Sequence, residues 1–242
     1  MNTRGQLTIF IIIAVILIAS ILIFFSLRGD LVQNVFNSPI DEVSLFVQDC
    51  IEKEGINVIY TIGVNGGYFF PTNFSIDLGI PYYYSDGENL MPSKKEVESE
   101  ISFYLGEILF LCTNNFEDFP NFDISQREIK VDTEIRDEKV VLNVNYPIRL
   151  IKGEDVSLIE DFEAEIPVRL GIVYDSVSEF MQEQIGHESI CLSCMLDISL
   201  RNDLYVDMFD YDEETTVFFF RDENSKLNDK PFTWVFANKY EL

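Results

Sequence analysis

The single histidine of the chain, His187, stands four residues before Cys191 and seven before Cys194. On a helix those spacings put the three side chains on one face. An imidazole and two thiolates there would supply three of the four ligands of a tetrahedral zinc site. The same Cys-x-x-Cys spacing also suits a local disulfide or a redox pair, and a local disulfide is the expectation for a chain outside the cytosol. Further along, Asp207, Asp210, Asp212, Glu213 and Glu214 crowd into DMFDYDEE. Oxygen donors at that density suit calcium. The DxDxDG order and distal glutamate of an EF-hand are absent, and a solvated acidic turn protecting a strand edge explains the run equally well. The sequence therefore predicts no resident cofactor, with calcium at the acidic turn and zinc at His187, Cys191 and Cys194 as the metal candidates.

Catalytic signatures are missing. The chain has no GxSxG elbow, no GxxxxGK[ST] loop, no GxGxxG and no HExxH. One histidine leaves general acid–base work almost wholly to carboxylates. Any chain with 42 of them offers some pair at the separation glycoside hydrolysis needs. A tethered hydrolase using carboxylates is thus an alternative, and a non-enzymatic protein the expectation. Two aromatic tracts, Tyr68-Phe69-Phe70-Pro71 and Tyr82-Tyr83-Tyr84, read either as core or as a face for glycans or other proteins. Asn73-Phe74-Ser75 is a glycosylation sequon.

Charge sets the partners. Lys and Arg number 17 against 42 Asp and Glu, a net charge of −25. Such a chain repels nucleic-acid backbones, so nucleic acid is excluded as a partner.

Location is written near the start. From Leu7 to Leu27 every residue except Thr8, Ala14, Ala19, Ser20 and Ser26 is Leu, Ile, Phe or Val, and no charge intervenes between Arg4 and Arg28. A helix of that length matches the roughly 30 Å hydrocarbon core. Its apolar side chains favour insertion by on the order of 5–10 kcal/mol. The run exceeds the apolar core of a cleaved secretory signal, about 7–15 residues, and ends in Ser26-Leu27-Arg28-Gly29-Asp30. The sequence therefore predicts a short cytoplasmic head or leader over 1–5, a single transmembrane helix over 6–28, and an acidic domain over 29–242 outside the cell. The lipid bilayer is the first partner, and the apolar helix offers a route to homo-oligomers.

Arg4-Gly5-Gln6-Leu7-Thr8 before this Ile-rich run resembles the class III signal of archaeal type IV pilin-like proteins. The resemblance covers about 25 residues. It implies cleavage after Gly5, a mature N-terminus at Gln6, and a hydrophobic helix kept as membrane anchor or filament core. Where that family commonly carries a glutamate, five residues into the mature chain, this sequence has Phe10. The expectation is an archaeal cell-surface protein with a structural, adhesive or binding ectodomain, and a filament subunit processed after Gly5 is the alternative.

The elements that must position these residues follow from periodicity. Ser38-Pro39-Ile40-Asp41 opens a helix whose apolar stripe is Val43, Phe46, Val47, Cys50, Ile51, Val58 and Ile62, stopped by Gly63-Val64-Asn65-Gly66-Gly67. Ser93-Lys94-Lys95-Glu96 is a capping box that starts a second helix, with Val97, Ile101, Tyr104, Leu105, Ile108, Cys112 and Phe116 as its stripe. From Glu128 the period becomes two. Ile129–Ile135, Val140–Ile148 and Val156–Ala164 read as an antiparallel meander, with Val156, Leu158, Glu160, Phe162 and Ala164 on one face. A third helix runs from near Pro167 to Ile185, a fourth from Ile190 to Arg201, and Leu204–Phe209, Thr215–Arg221 and Phe232–Asn238 are extended. Blocks of helix and strand predict an α+β domain of amphipathic helices on an antiparallel sheet. Because Cys50 and Cys112 both lie on apolar helix stripes, they are the expected long bridge, leaving Cys191 and Cys194 as the short one.

Overall fold

The computed structural model describes residues 17, 18, 20, 39–185 and 190–240. The chain divides into two compact units, Met1–Leu45 and Phe46–Leu242. Of the first, residues 17, 18 and 20 are helical and exposed, and the start of helix α1 (Pro39–Val64) belongs to it. The remainder of the predicted span over 6–28, with the proposed cleavage point at Gly5 and Gln6, lies outside the described residues. No helix among the described residues is long and apolar enough to cross a membrane.

The second unit is α+β, built on two sheets. After α1 come β1 (Tyr82–Ser85), β2 (Glu88–Asn89), α2 (Lys94–Thr113), a single 3-10 turn (Asn114–Phe116), β3 (Asp123–Gln126), β4 (Lys130–Ile135), β5 (Val140–Lys152), β6 (Asp155–Ile166), α3 (Leu170–Gln184), α4 (Leu192–Asn202), β7 (Tyr205–Asp210), β8 (Thr215–Leu227) and β9 (Lys230–Lys239). The predicted meander is the first sheet: β4 and β6 flank β5, all antiparallel. β3, which periodicity did not reveal, pairs with the far end of β5 on the same side as β4. The second sheet has the order β2-β1-β9-β8-β7, and β1 joins β9 in parallel.

One predicted face is corrected. Val144 opposes Phe162, but past an irregularity Ile148 opposes Ile159, so β5 spends one more residue than β6 between the two pairs. An extra residue exchanges the side-chain parity of the strands. Phe162, Ala164 and Ile166 are therefore buried, whereas Val156 and Leu158 are exposed.

The residues of α1 beyond Leu45 serve both sheets. A side chain added at Gly55 would meet Leu142 Cδ1 at 2.6 Å on β5, and one at Gly63 would meet the Phe232 ring at 2.6 Å on β9. Glycine is what lets the helix lie this close to both. The helix ends at Val64, and Gly67, at φ +88°, donates its N–H to Ile62 O at 2.8 Å. α2 starts as its capping box requires, with Ser93 as N-cap. Its buried residues are Val97, Ile101, Leu105, Leu109 and Thr113, a stripe rotated from the predicted one, with Tyr104, Ile108 and Cys112 at its margin. A Cys50–Cys112 disulfide ties α1 to α2, with Cα atoms 6.0 Å apart and 62 residues of separation. By loop entropy such a bridge contributes about 4 kcal/mol.

α3 lies on β8 and β9, where Phe180 meets Phe218, Phe220 and Phe236 at ring separations of 5.0, 5.8 and 6.2 Å. It begins at Leu170, close to Pro167 as expected, and its N-cap residue Arg169 donates its backbone N–H to Ser225 Oγ at 2.8 Å. The tract Tyr82–Tyr84 divides: Tyr83 is buried, stacked on Phe236 at 4.6 Å, and its hydroxyl donates to Gly66 O at 2.9 Å while accepting Trp234 Nε1–H at 3.0 Å. Burial pushes the Tyr83 hydroxyl well above the ordinary tyrosine range.

Candidate functional site

Two places in the second unit gather side chains that the fold itself does not need. The first is an open groove of about 1170 Å³ along α2 and the β3–β4 segment. The tract Tyr68–Pro71 is brought here. Phe69 stacks on Tyr104 with ring centroids 4.3 Å apart, and Phe70 and Phe103 meet the same ring edge-on at 5.4 and 5.0 Å. The Phe69 N–H donates to Glu100 Oε2 at 3.1 Å, which pins the loop to the helix. Opposite the buried stripe of α2, Phe103, Phe110 and Leu111 are 61%, 49% and 72% exposed, and Phe70 across the groove is 61% exposed. β4 forms the other wall. Ile135 N–H donates to Glu98 Oε1 at 2.9 Å and Ser102 Oγ donates to Thr133 Oγ1 at 2.8 Å, which hold the helix to the strand. The sequence carried a signal for this face that the core-seeking pattern passed over: Phe103, Phe110 and Leu111 recur at i, i+7 and i+8.

The second place is the start of α4. Cys191 and Cys194 are joined as a disulfide, as expected. Cys191 is the N-cap residue, and its Sγ accepts the Cys194 N–H at 3.3 Å. The Cys191 N–H donates to Gln184 Oε1 at 2.9 Å. Glu183, near the end of α3, brings Oε2 to 3.2 Å from Cys194 Sγ. Glu183, Cys191 and Cys194 form the one cluster of three potential ligands found among the described residues, their ligand atoms all within 4.8 Å. With the two sulfurs bonded to each other, neither is a thiolate, so the zinc set is not assembled in this state. His187 lies outside the described residues. A bridge closing so short a loop adds only about 2 kcal/mol to stability. Nothing in the sequence marked Glu183, because its place beside the cysteines follows from the packing of α3 against α4.

The acidic run spans the end of β7 and the β7–β8 turn, and Asp212 organises the turn. Asp212 Oδ1 accepts the N–H groups of Glu214 and Thr215 at 2.9 and 2.7 Å, and those bonds hold its carboxyl below the usual range. Asp210 Oδ1 accepts Thr216 Oγ1–H at 3.0 Å, Glu214 pairs with Lys239 at 3.3 Å, and Asp207 accepts the Tyr205 hydroxyl at 3.1 Å. Glu213 is exposed. These five are not brought to a common point. Asn73 is exposed, as a glycosylation acceptor must be.

Comparison with protein-family models, with curated proteins and with solved structures gives no match.

Proposed function

We propose that this chain is a membrane-anchored surface protein whose acidic α+β domain binds another protein through the groove beside α2. The observation that carries the reading is the outward face of α2, where Phe103, Phe110 and Leu111 stand exposed beside Phe70. A contiguous aromatic patch left in water is costly, and such patches mark interaction surfaces. The rim selects the occupant. Lys95, Arg127 and Lys130 line the groove with Glu98, Glu107, Glu128 and Asp132, so its own charges nearly balance within a chain of net charge −25. An apolar polypeptide segment flanked by basic residues satisfies both features: its side chains cover the rings and its flanks meet the surrounding acid. A second copy would bring another −25, and an anionic bilayer would bring like charge. The anchor is supplied by the apolar run from Leu7 to Leu27.

The test is site-specific photo-crosslinking in intact cells, with benzoylphenylalanine at Phe103 and a control probe at Glu163, which is exposed on β6. The expected result is a polypeptide adduct at position 103 alone. It should be competed by a synthetic Lys-flanked apolar peptide but not by a Glu-flanked one, and lost in the double variant Phe110→Glu/Leu111→Glu. Adducts confined to lipid, glycan or a second copy, or equal labelling at both positions, would overturn the proposal.

A further inference from the structure

The Cys191–Cys194 pair has features that a purely structural staple does not use. Its first sulfur caps an 11-residue helix and accepts a backbone N–H from within it. A thiolate at that position would be held by the same N–H and by the positive end of the helix, which favour an acidic, reactive cysteine against the opposing charge of Glu183, whose carboxylate lies within 4.8 Å of both sulfurs. The second sulfur faces a carboxylate oxygen at 3.2 Å. In the disulfide neither sulfur bears a proton, so this approach becomes a hydrogen bond only after reduction, when Cys194 Sγ–H can donate to Glu183. Both cysteines are partly accessible. Beside them runs an exposed apolar line, Leu192, Leu196 and Leu200, at i, i+4 and i+8 and 61%, 61% and 77% exposed. In the other bridge Cys50 is 4% exposed and Cys112 half-buried, so one of its two sulfurs is shielded from attack.

We propose that Cys191 and Cys194 form a thiol–disulfide exchange site acting on the disulfides or dithiols of other proteins, which dock on the leucine line of α4. In the reduced state the Cys191 thiolate attacks one sulfur of a partner disulfide. A mixed disulfide forms, and the partner's other sulfur leaves as a thiolate that takes a proton from water. Cys194 then gives its proton to the Glu183 carboxylate and attacks Cys191 Sγ. The Cys191–Cys194 bond closes, the mixed disulfide breaks, and the partner's second sulfur leaves as a thiolate, which the proton from Glu183 neutralises through water. Two electrons pass from the cysteine pair to the partner. The reverse sequence, with a partner dithiol as electron donor, returns the pair to its reduced form. Glu183 is a positioning and proton-accepting group for the second step only. This site is independent of the groove beside α2.

The experiment uses the full-length protein in detergent. In graded mixtures of reduced and oxidised glutathione, followed by alkylation and mass analysis, the Cys191–Cys194 pair should exchange reversibly while Cys50–Cys112 stays oxidised. In Cys194→Ser, the rate at which Cys191 reacts with a dinitrobenzoate disulfide should reach half its maximum at least one pH unit below the value of about 8.5 for a free cysteine. In Glu183→Gln the first step with oxidised glutathione should stay within twofold of the parent, whereas closure of the mixed disulfide slows about tenfold or more at neutral pH. Leu196→Glu should slow the reduction of insulin disulfides at least fivefold and leave the glutathione rate unchanged. A Cys191 that titrates at or above the free value, closure unaffected in Glu183→Gln, or two bridges equally inert in the folded protein would each overturn the proposal.

Discussion

Asp222 shows how one residue fixes a local geometry. It is fully buried on β8, where Oδ1 receives Arg169 Nη1 at 2.9 Å and the Asn224 N–H at 3.1 Å, and Oδ2 receives the Ser225 hydroxyl at 2.5 Å. Arg169 continues the network to Asn202 O at 2.5 Å. Between Asp222 and Lys226 the register against β9 shifts, so the carboxylate organises the backbone where the ladder breaks. A buried charge with several donors is satisfied, but removing it strands the guanidinium it faces. Asp222→Ala should therefore lower stability by about 3–5 kcal/mol, read from urea denaturation at neutral pH. A loss of under about 1 kcal/mol would mean that Arg169 reaches water and that the network adds little. Tyr83 poses the same question in neutral form. Tyr83→Phe leaves the Trp234 indole N–H and Gly66 O without their partner, and should cost about 1–3 kcal/mol.

At the scale of elements, the start of α2 rests on a reciprocal cap: Glu96 N–H donates to Ser93 Oγ at 3.3 Å, and Glu96 Oε2 accepts both the Ser93 N–H and its hydroxyl at 2.7 Å. The hydrogen bond from the Ser93 hydroxyl, and then that from its N–H, hold the Glu96 carboxyl below its ordinary range. A carboxyl depressed in the folded state contributes stability above its unfolded value, near 4.3, and loses it as the pH falls through the lower folded value. Ser93→Ala should thus cost about 1 kcal/mol at pH 7 and visibly less at pH 3, compared by urea midpoints. An equal cost at both would show that the charged half of the cap is idle. This cap was legible because every group in it lies within four residues, and the meander was legible because its faces alternate at period two. What escaped prediction depends on distant contacts. The parallel seating of β1 on β9 pairs Tyr82 with Ala237, from opposite ends of the domain, and the exposure of Val156 and Leu158 follows from one extra residue on β5. The site divides along the same line. The cysteine pairings could be read from stripes and spacing, whereas Glu183 beside Cys194 could not.

For the whole molecule, charge is the dominant unbalanced quantity. With 42 acidic side chains and 17 basic ones, most carboxylates have no cation to meet, whatever the local pairing. The described ion pairs are mostly exposed, as Lys94–Asp175 at 2.7 Å and Arg201–Glu179 at 2.7 Å illustrate, and each is individually weak. Two effects of salt then oppose one another: screening weakens these pairs, and it also relieves repulsion summed over the excess acid. The pairs are few and short-ranged, whereas the repulsion acts across the domain, so relief should dominate. Raising sodium chloride from about 10 to 150 mM shortens the Debye length from about 30 to 8 Å. The melting temperature should rise, by about 2–4 °C for each 1 kcal/mol of repulsion removed. Chloride is the suitable anion, since sulfate would strengthen apolar burial as well and confound the sign. A melting temperature that falls with chloride would show that the ion pairs outweigh the excess charge. In that case the acid of this domain must be arranged so that its carboxylates scarcely interact, and the electrostatic preference for a basic partner at the groove would weaken with it.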